Sequence, residues 1–117
     1  MLYLKLVKHY KTPFVFILDR HKGRGTDAQL EHVLAVAKSV SNKYSEDVFD
    51  CDDFQAVLKG KASEERFNWV GSVYGWMGKN PFKLHAWNNA LLERGIVDIE
   101  PQTSELDPSY RALVVVI

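Results

Sequence analysis

The 117-residue chain carries 15 basic and 15 acidic side chains, with 46% hydrophobic and 26% charged residues. It is long enough to bury one core of its own, which excludes a disordered chain. Its neutrality argues against devotion to non-specific phosphate binding, which usually needs a basic protein.

In chain order, Leu2, Leu4 and Leu6 alternate with Tyr3, Lys5 and Val7, the period of a half-buried strand. Phe14–Leu18 is a continuous apolar run suited to a second strand, and the short Lys11-Thr12-Pro13 link makes the two an antiparallel hairpin. Thr26 with Gln29 forms a capping box for a helix over 27–43, whose apolar face carries Leu30, Val33, Ala37, Val40 and Tyr44. Residues 47–51 read as a short strand and 53–59 as a short helix stopped by Gly60.

Ser63 then caps a helix through Met77, with Phe67, Trp69, Val70, Val73, Tyr74, Trp76 and Met77 around half its circumference. Asn68, Gly71, Ser72 and Gly75 make a small-residue stripe where another backbone can approach. Asn80-Pro81 opens a last helix ending at Arg94 before Gly95. Residues 96–99 and 112–117 read as strands around an acidic loop, 101–108. The expected fold is therefore a single α+β domain over 1–117. It has an N-terminal β-hairpin, three to four helices, and a C-terminal β-hairpin whose last strand is buried.

The lone cysteine, Cys51, has no disulfide partner within the chain, and no Cys/His spacing matches a zinc site. A reducing, cytoplasmic setting is expected, with no metal, cofactor or membrane partner, since no apolar run suits a leader or a span. The acids flanking Cys51 favour the protonated thiol by like-charge repulsion, so it reads as a poor nucleophile. None of His9, His21, His32 and His85 pairs with another at i, i+4, and no catalytic residue is assigned.

Three surfaces remain. The loop Lys22-Gly23-Arg24-Gly25 precedes a helix N-terminus and suits an anion, although it is neither a dinucleotide fingerprint nor a P-loop. The acidic stretch 46–53, with Asp47, Asp50, Asp52 and Asp53, suits a basic protein partner. Lys79, Lys83, His85, Asn88 and Asn89 lie on or beside the polar side of the last helix, where Asn can read adenine edges and Lys or His can hold phosphate.

Leu91–Val97 followed by Asp107–Val114 resembles the recognition helix and wing of winged-helix DNA-binding domains, over about the last 40 residues. That resemblance implies DNA contact through the last helix, with a wing made acidic by Asp98, Glu100, Glu105 and Asp107. The leading expectation is a small non-enzymatic binding protein with a nucleic-acid partner. An inhibitor or immunity-type protein acting through the acidic stretch is the alternative, and an enzyme or anion-binding protein using the 19–27 loop is the third.

Overall fold

The first ten residues satisfy two periods at once. Leu2, Leu4 and Leu6 alternate, but Leu2, Leu6 and Tyr10 are also spaced four apart, and the second pattern prevails. Leu2–Tyr10 is helix α1, with Leu6 and Tyr10 buried. Lys11 closes it in the left-handed conformation, its amide bonded to Val7 O at 2.8 Å. The computed structural model describes residues 2–18, 22–41, 51–77 and 84–117.

Seven further elements follow: β1 (Val15–Phe16), α2 (Asp27–Ser41), α3 (Cys51–Glu64), β2 (Val70–Met77), β3 (Leu84–Leu92), β4 (Gly95–Ile99) and β5 (Tyr110–Val116). The described strands form one sheet in the order β1-β5-β2-β3-β4, antiparallel except for the β1–β5 pair. The result is a single compact α+β domain with three helices and a five-stranded mixed sheet among the described residues.

The capping box at α2 forms as expected: Thr26 N donates to Gln29 Oε1 at 3.0 Å and Gln29 N to Thr26 Oγ1 at 3.2 Å. Leu30, Val33 and Ala37 bury the expected face. The interior strand at the C-terminal end is also as expected, with Val115 and Ile117 buried.

The strand expected over 96–99 forms as β4, and all of the strand expected over 47–51 but Cys51 lies outside the described residues; the other elements are corrected. The N-terminal hairpin is replaced by α1 and by a two-residue β1 that runs parallel to β5. The short 53–59 helix extends over Cys51–Glu64, straight through Gly60. The helices expected over 63–77 and 80–94 are instead the antiparallel pair β2 and β3, with Val73 opposite Trp87 and Gly75 opposite His85. The small residues of β2 do admit backbone closely, but it is strand backbone. A Cβ on Gly75 would lie 2.0 Å from Arg111 O, and one on Gly71 would lie 2.8 Å from Val116 O. Finally, β4 and β5 are not neighbours, so no C-terminal hairpin and no wing forms among the described residues.

Alternation along β3 sends His85, Trp87, Asn89 and Leu91 to one face and Ala86, Asn88, Ala90 and Leu92 to the other. Asn88 Nδ2 donates to Gln55 O of α3 at 3.1 Å, whereas Trp87 and Tyr10 of α1 both donate to Asp98. The sheet therefore lies between α1 and α3, a layered arrangement that buries both faces. α2 packs on α3. Its start is tied to the β3–β4 turn by Gly25 N to Leu91 O (2.8 Å), Glu93 N to Gly25 O (2.9 Å) and Arg94 to Asp27 (2.9 Å).

Candidate active site

His85 is the second residue of β3 and is buried, with its Nε2 2.6 Å from Glu100 Oε2. Glu100 follows β4 directly and begins a turn that folds back on itself. Ser104 N donates to Glu100 O at 2.7 Å and Gln102 N to the carboxylate Oε1 at 3.1 Å. Tyr110, the first residue of β5, donates its hydroxyl to Oε2 at 2.6 Å. An ionised carboxylate only accepts, so His85 carries its proton on Nε2 and leaves Nδ1 as the basic nitrogen. The imidazole is bracketed by the Tyr110 ring, edge-on at 4.9 Å, and the Trp87 ring, stacked at 6.0 Å. Burial, and then the neighbouring Glu100, push the Tyr110 hydroxyl above its ordinary pKa, so it stays protonated as a donor.

A cleft of about 770 Å³ opens beside His85. Asp53, Gln55 and Ala56 of α3 line one side, and Tyr74, Gly75, Leu84 and Leu113 line the sheet side. The start of α3 is held against the sheet by Asn88 on Gln55 O and by Gln55 Nε2 on Ser72 Oγ. Cys51 is the first residue of that helix. The lining of one cleft thus includes the opening turns of the helix that begins with Cys51 and a buried histidine whose imidazole is bonded to a buried carboxylate.

A second buried cluster lies further along the same face. Asp98 Oδ1 accepts from Tyr10 (2.5 Å) and Trp87 Nε1 (3.2 Å), and Oδ2 lies 3.5 Å from His9. Desolvation raises the Asp98 pKa above its ordinary value, although these bonds pull it down. A separate cleft of about 630 Å³ is lined by Lys5, Lys8, Arg24 and Arg94 with one carboxylate, Glu93.

The sequence-derived site residues fare unevenly. Asn88 and Asn89 are fully buried in a central strand, and His85 is turned onto Glu100, so none of them can face a groove. Lys79 and Lys83 lie outside the described residues. In the 22–25 loop, Gly23 N is bonded to Asn68 Oδ1 at 2.9 Å and Gly25 N to Leu91 O. Two amides that would cradle an anion are thereby spent. Lys22 is partly buried and also has an interaction, and Arg24 joins the basic cleft. Asp47 and Asp50 lie outside the described residues, Asp52 falls in the first turn of α3, and Asp53 lines the cleft beside His85. Glu100 and Tyr110, which the sequence places in an acidic wing, carry no spacing that marks them as partners of His85.

No family model and no curated protein matches the chain. Solved structures do. One, described as "PSL1a-E64 complex", has a TM-score of 0.71 and 21% identity over 88% of this chain and 42% of its own. Another is a lectin of Polyporus squamosus bound to the human-type influenza-binding epitope Neu5Aca2-6Galb1-4GlcNAc. It has a TM-score of 0.77 and 19% identity over 99% of this chain and 47% of its own. The chain therefore shares their fold while spanning less than half their length. Neither is described as a nucleic-acid-binding protein, a regulator or an inhibitor. With the groove-reading helix gone as well, the expected nucleic-acid partner, the basic-protein alternative and the enzyme or anion-binding role at the 19–27 loop are all withdrawn.

Proposed function

We propose that the chain is a cysteine-nucleophile hydrolase of acyl compounds, amides or esters, with Cys51 as nucleophile, His85 as acid and base, and Glu100 as the group that orients His85. The observation that carries this reading is the buried 2.6 Å His85–Glu100 pair, whose histidine lines the same cleft as Asp53 and Gln55 in the opening turns of α3. A helix N-terminus favours the thiolate over the thiol, in opposition to the acids around Cys51. A nearby imidazolium adds to that preference. The Cys51 thiol passes its proton to His85 Nδ1, the thiolate attacks the acyl carbon, and the same proton goes on to the leaving amine or alcohol. Water, deprotonated by the same nitrogen, then releases the acid and restores Cys51. The neighbour described as a complex with E64 supports the reading, since E64 is an epoxide and a thiolate opens an epoxide by attack on ring carbon. The reducing setting expected from the lone cysteine would keep the thiol free.

The test is mass spectrometry after incubation with E64 at neutral pH. One adduct at Cys51 is expected, formed at least tenfold faster than in the denatured chain and at least tenfold faster than in His85→Ala, since positioned acid–base groups contribute about 10²–10⁴-fold. Labelling no faster than in the denatured chain sinks the proposal.

A second reading, sialoglycan binding, is supported by the lectin neighbour together with the basic cleft, whose Lys5, Lys8, Arg24 and Arg94 would meet a sialic acid carboxylate. Calorimetry with Neu5Acα2-6Galβ1-4GlcNAc against Galβ1-4GlcNAc tests it. Binding of the sialylated sugar alone, weakened in Lys8→Glu, is expected, and equal or absent binding of both removes the reading.

A further inference from the structure

We infer that Tyr110 is a positioning residue of this site, acting through Glu100 to hold the His85 imidazole in one orientation. This rests on the hydrolase reading above and adds a residue to it.

Glutamate reaches His85 on a long side chain with several rotatable bonds, so its carboxylate needs fixing before it can orient anything. The turn supplies one tether, Gln102 N on Oε1 at 3.1 Å. That bond alone still permits the carboxylate to swing and Oε2 to leave His85. Tyr110 supplies the second tether on the very oxygen that His85 uses, at the same 2.6 Å. With Oε1 held by the turn and Oε2 by Tyr110, the carboxylate plane is set.

The same side chain limits the imidazole directly. Its ring meets His85 edge-on, centroids 4.9 Å apart and planes at 75°, while Trp87 stacks at 20°. Tyr110 and Trp87 also touch, with centroids 5.0 Å apart, so the bracket is closed. The backbone of Tyr110 is anchored by pairing with Met77 of β2, which ties the hydroxyl to the sheet rather than to the turn it holds. Rotation of His85 about its ring bond would break both the Glu100 bond and the edge contact. The two contacts therefore protect Nδ1 as the nitrogen left for chemistry.

A thermodynamic cycle on E64 inactivation tests this, using the chain with Tyr110→Phe, Glu100→Gln and both together. Tyr110→Phe keeps the ring and loses the tether, so the limiting inactivation rate should fall about tenfold, the effect of one charge-assisted hydrogen bond, with the half-saturating E64 concentration unchanged. In the Glu100→Gln background the same change should cost less than about twofold, because the tethered carboxylate is already gone. Tyr110→Met, which removes ring and hydroxyl, should cost more than Tyr110→Phe while the fold, followed by circular dichroism, is retained. A role in folding alone would not divide the limiting rate from half-saturation. A rate for Tyr110→Phe within twofold of the parent, or an equal loss in both backgrounds, overturns the inference and leaves the hydrolase reading standing. Failure of the parent chain to react at Cys51 overturns both.

Discussion

Replacing Glu100 with alanine removes the acceptor on which three donors converge: His85 Nε2, the Tyr110 hydroxyl and the Gln102 amide. Glu100 and His85 are both more than nine-tenths buried, so the stranded donors have little water to turn to. A buried donor left unpaired costs about 1–3 kcal/mol, and removing the acceptor shared by several buried donors costs more than one such loss. We expect about 3–5 kcal/mol, because the adjoining cleft lets some water reach His85. With a urea m-value of about 2 kcal/mol/M for a domain of this size, the midpoint should drop by about 2 M. Urea titration followed by tryptophan fluorescence measures this, since Trp87 stacks on His85 and reports the region directly. Glu100→Gln, which keeps the volume and one acceptor, should lose clearly less. A loss under about 1 kcal/mol for Glu100→Ala would mean that the three bonds do not hold together in solution, and the orientation of His85 would lose its basis.

Three further outcomes follow from the packing. Gly25→Ala should destabilise the chain by about 1–3 kcal/mol in the same titration, because the new methyl would lie 2.6 Å from the Trp69 ring. An unchanged midpoint would show that Trp69 yields freely. Asn88→Ala should cost about 2–3 kcal/mol, by removing the amide that bridges Gln55 O and Gly71 O at 3.1 Å each, and should slow thiol labelling by loosening the start of α3. Labelling at the parent rate would separate that anchor from the site. Asp98 has a raised pKa in the fold, chiefly through desolvation, so its contribution to stability is full below the ordinary value of 3.8 and is lost as pH rises through the raised one. Asp98→Asn lacks that loss. Its melting temperature should therefore gain on the parent's as pH rises across that window, and a gap independent of pH would contradict the argument.

What was legible in the sequence is what local chemistry decides alone. The Thr26–Gln29 box and the Leu30, Val33, Ala37 spacing belong to one helix and need no partner, and α2 formed as read. β2 and β3 were illegible because both of their faces are covered, save at Tyr74 and Leu84. Eight of the nine residues of β3 are buried, so no polar alternation marks the strand, and Leu84, Trp87 and Leu91 happen to fall at helical spacing. Asn80-Pro81 and Gly95 then supplied a plausible start and stop for a helix that the sheet overrules. α1 erred the other way, since its leucines fit both periods and only burial against the sheet decides between them.

The site was hidden by the same misreading. On a helix over 80–94, His85 points wherever the polar face points, and Glu100 belongs to a distant acidic loop. As a strand, β3 turns at Glu93-Arg94 into β4 with Asn88 opposite Ile99. Carried one step further, that register sets Trp87 across from Glu100 and puts His85 on the diagonal, within reach of a long side chain. Glu100 is thus a glutamate for a geometric reason: a shorter carboxylate at that diagonal would fall short of Nε2. Cys51 changes meaning in the same way. Read by its sequence neighbours it is a thiol among acids, but read by its element it is the first residue of a helix whose opening turns line the cleft beside His85. The chemistry of the chain is set by which residues the sheet register and the helix start bring to one cleft, and neither is a property of any short stretch of sequence.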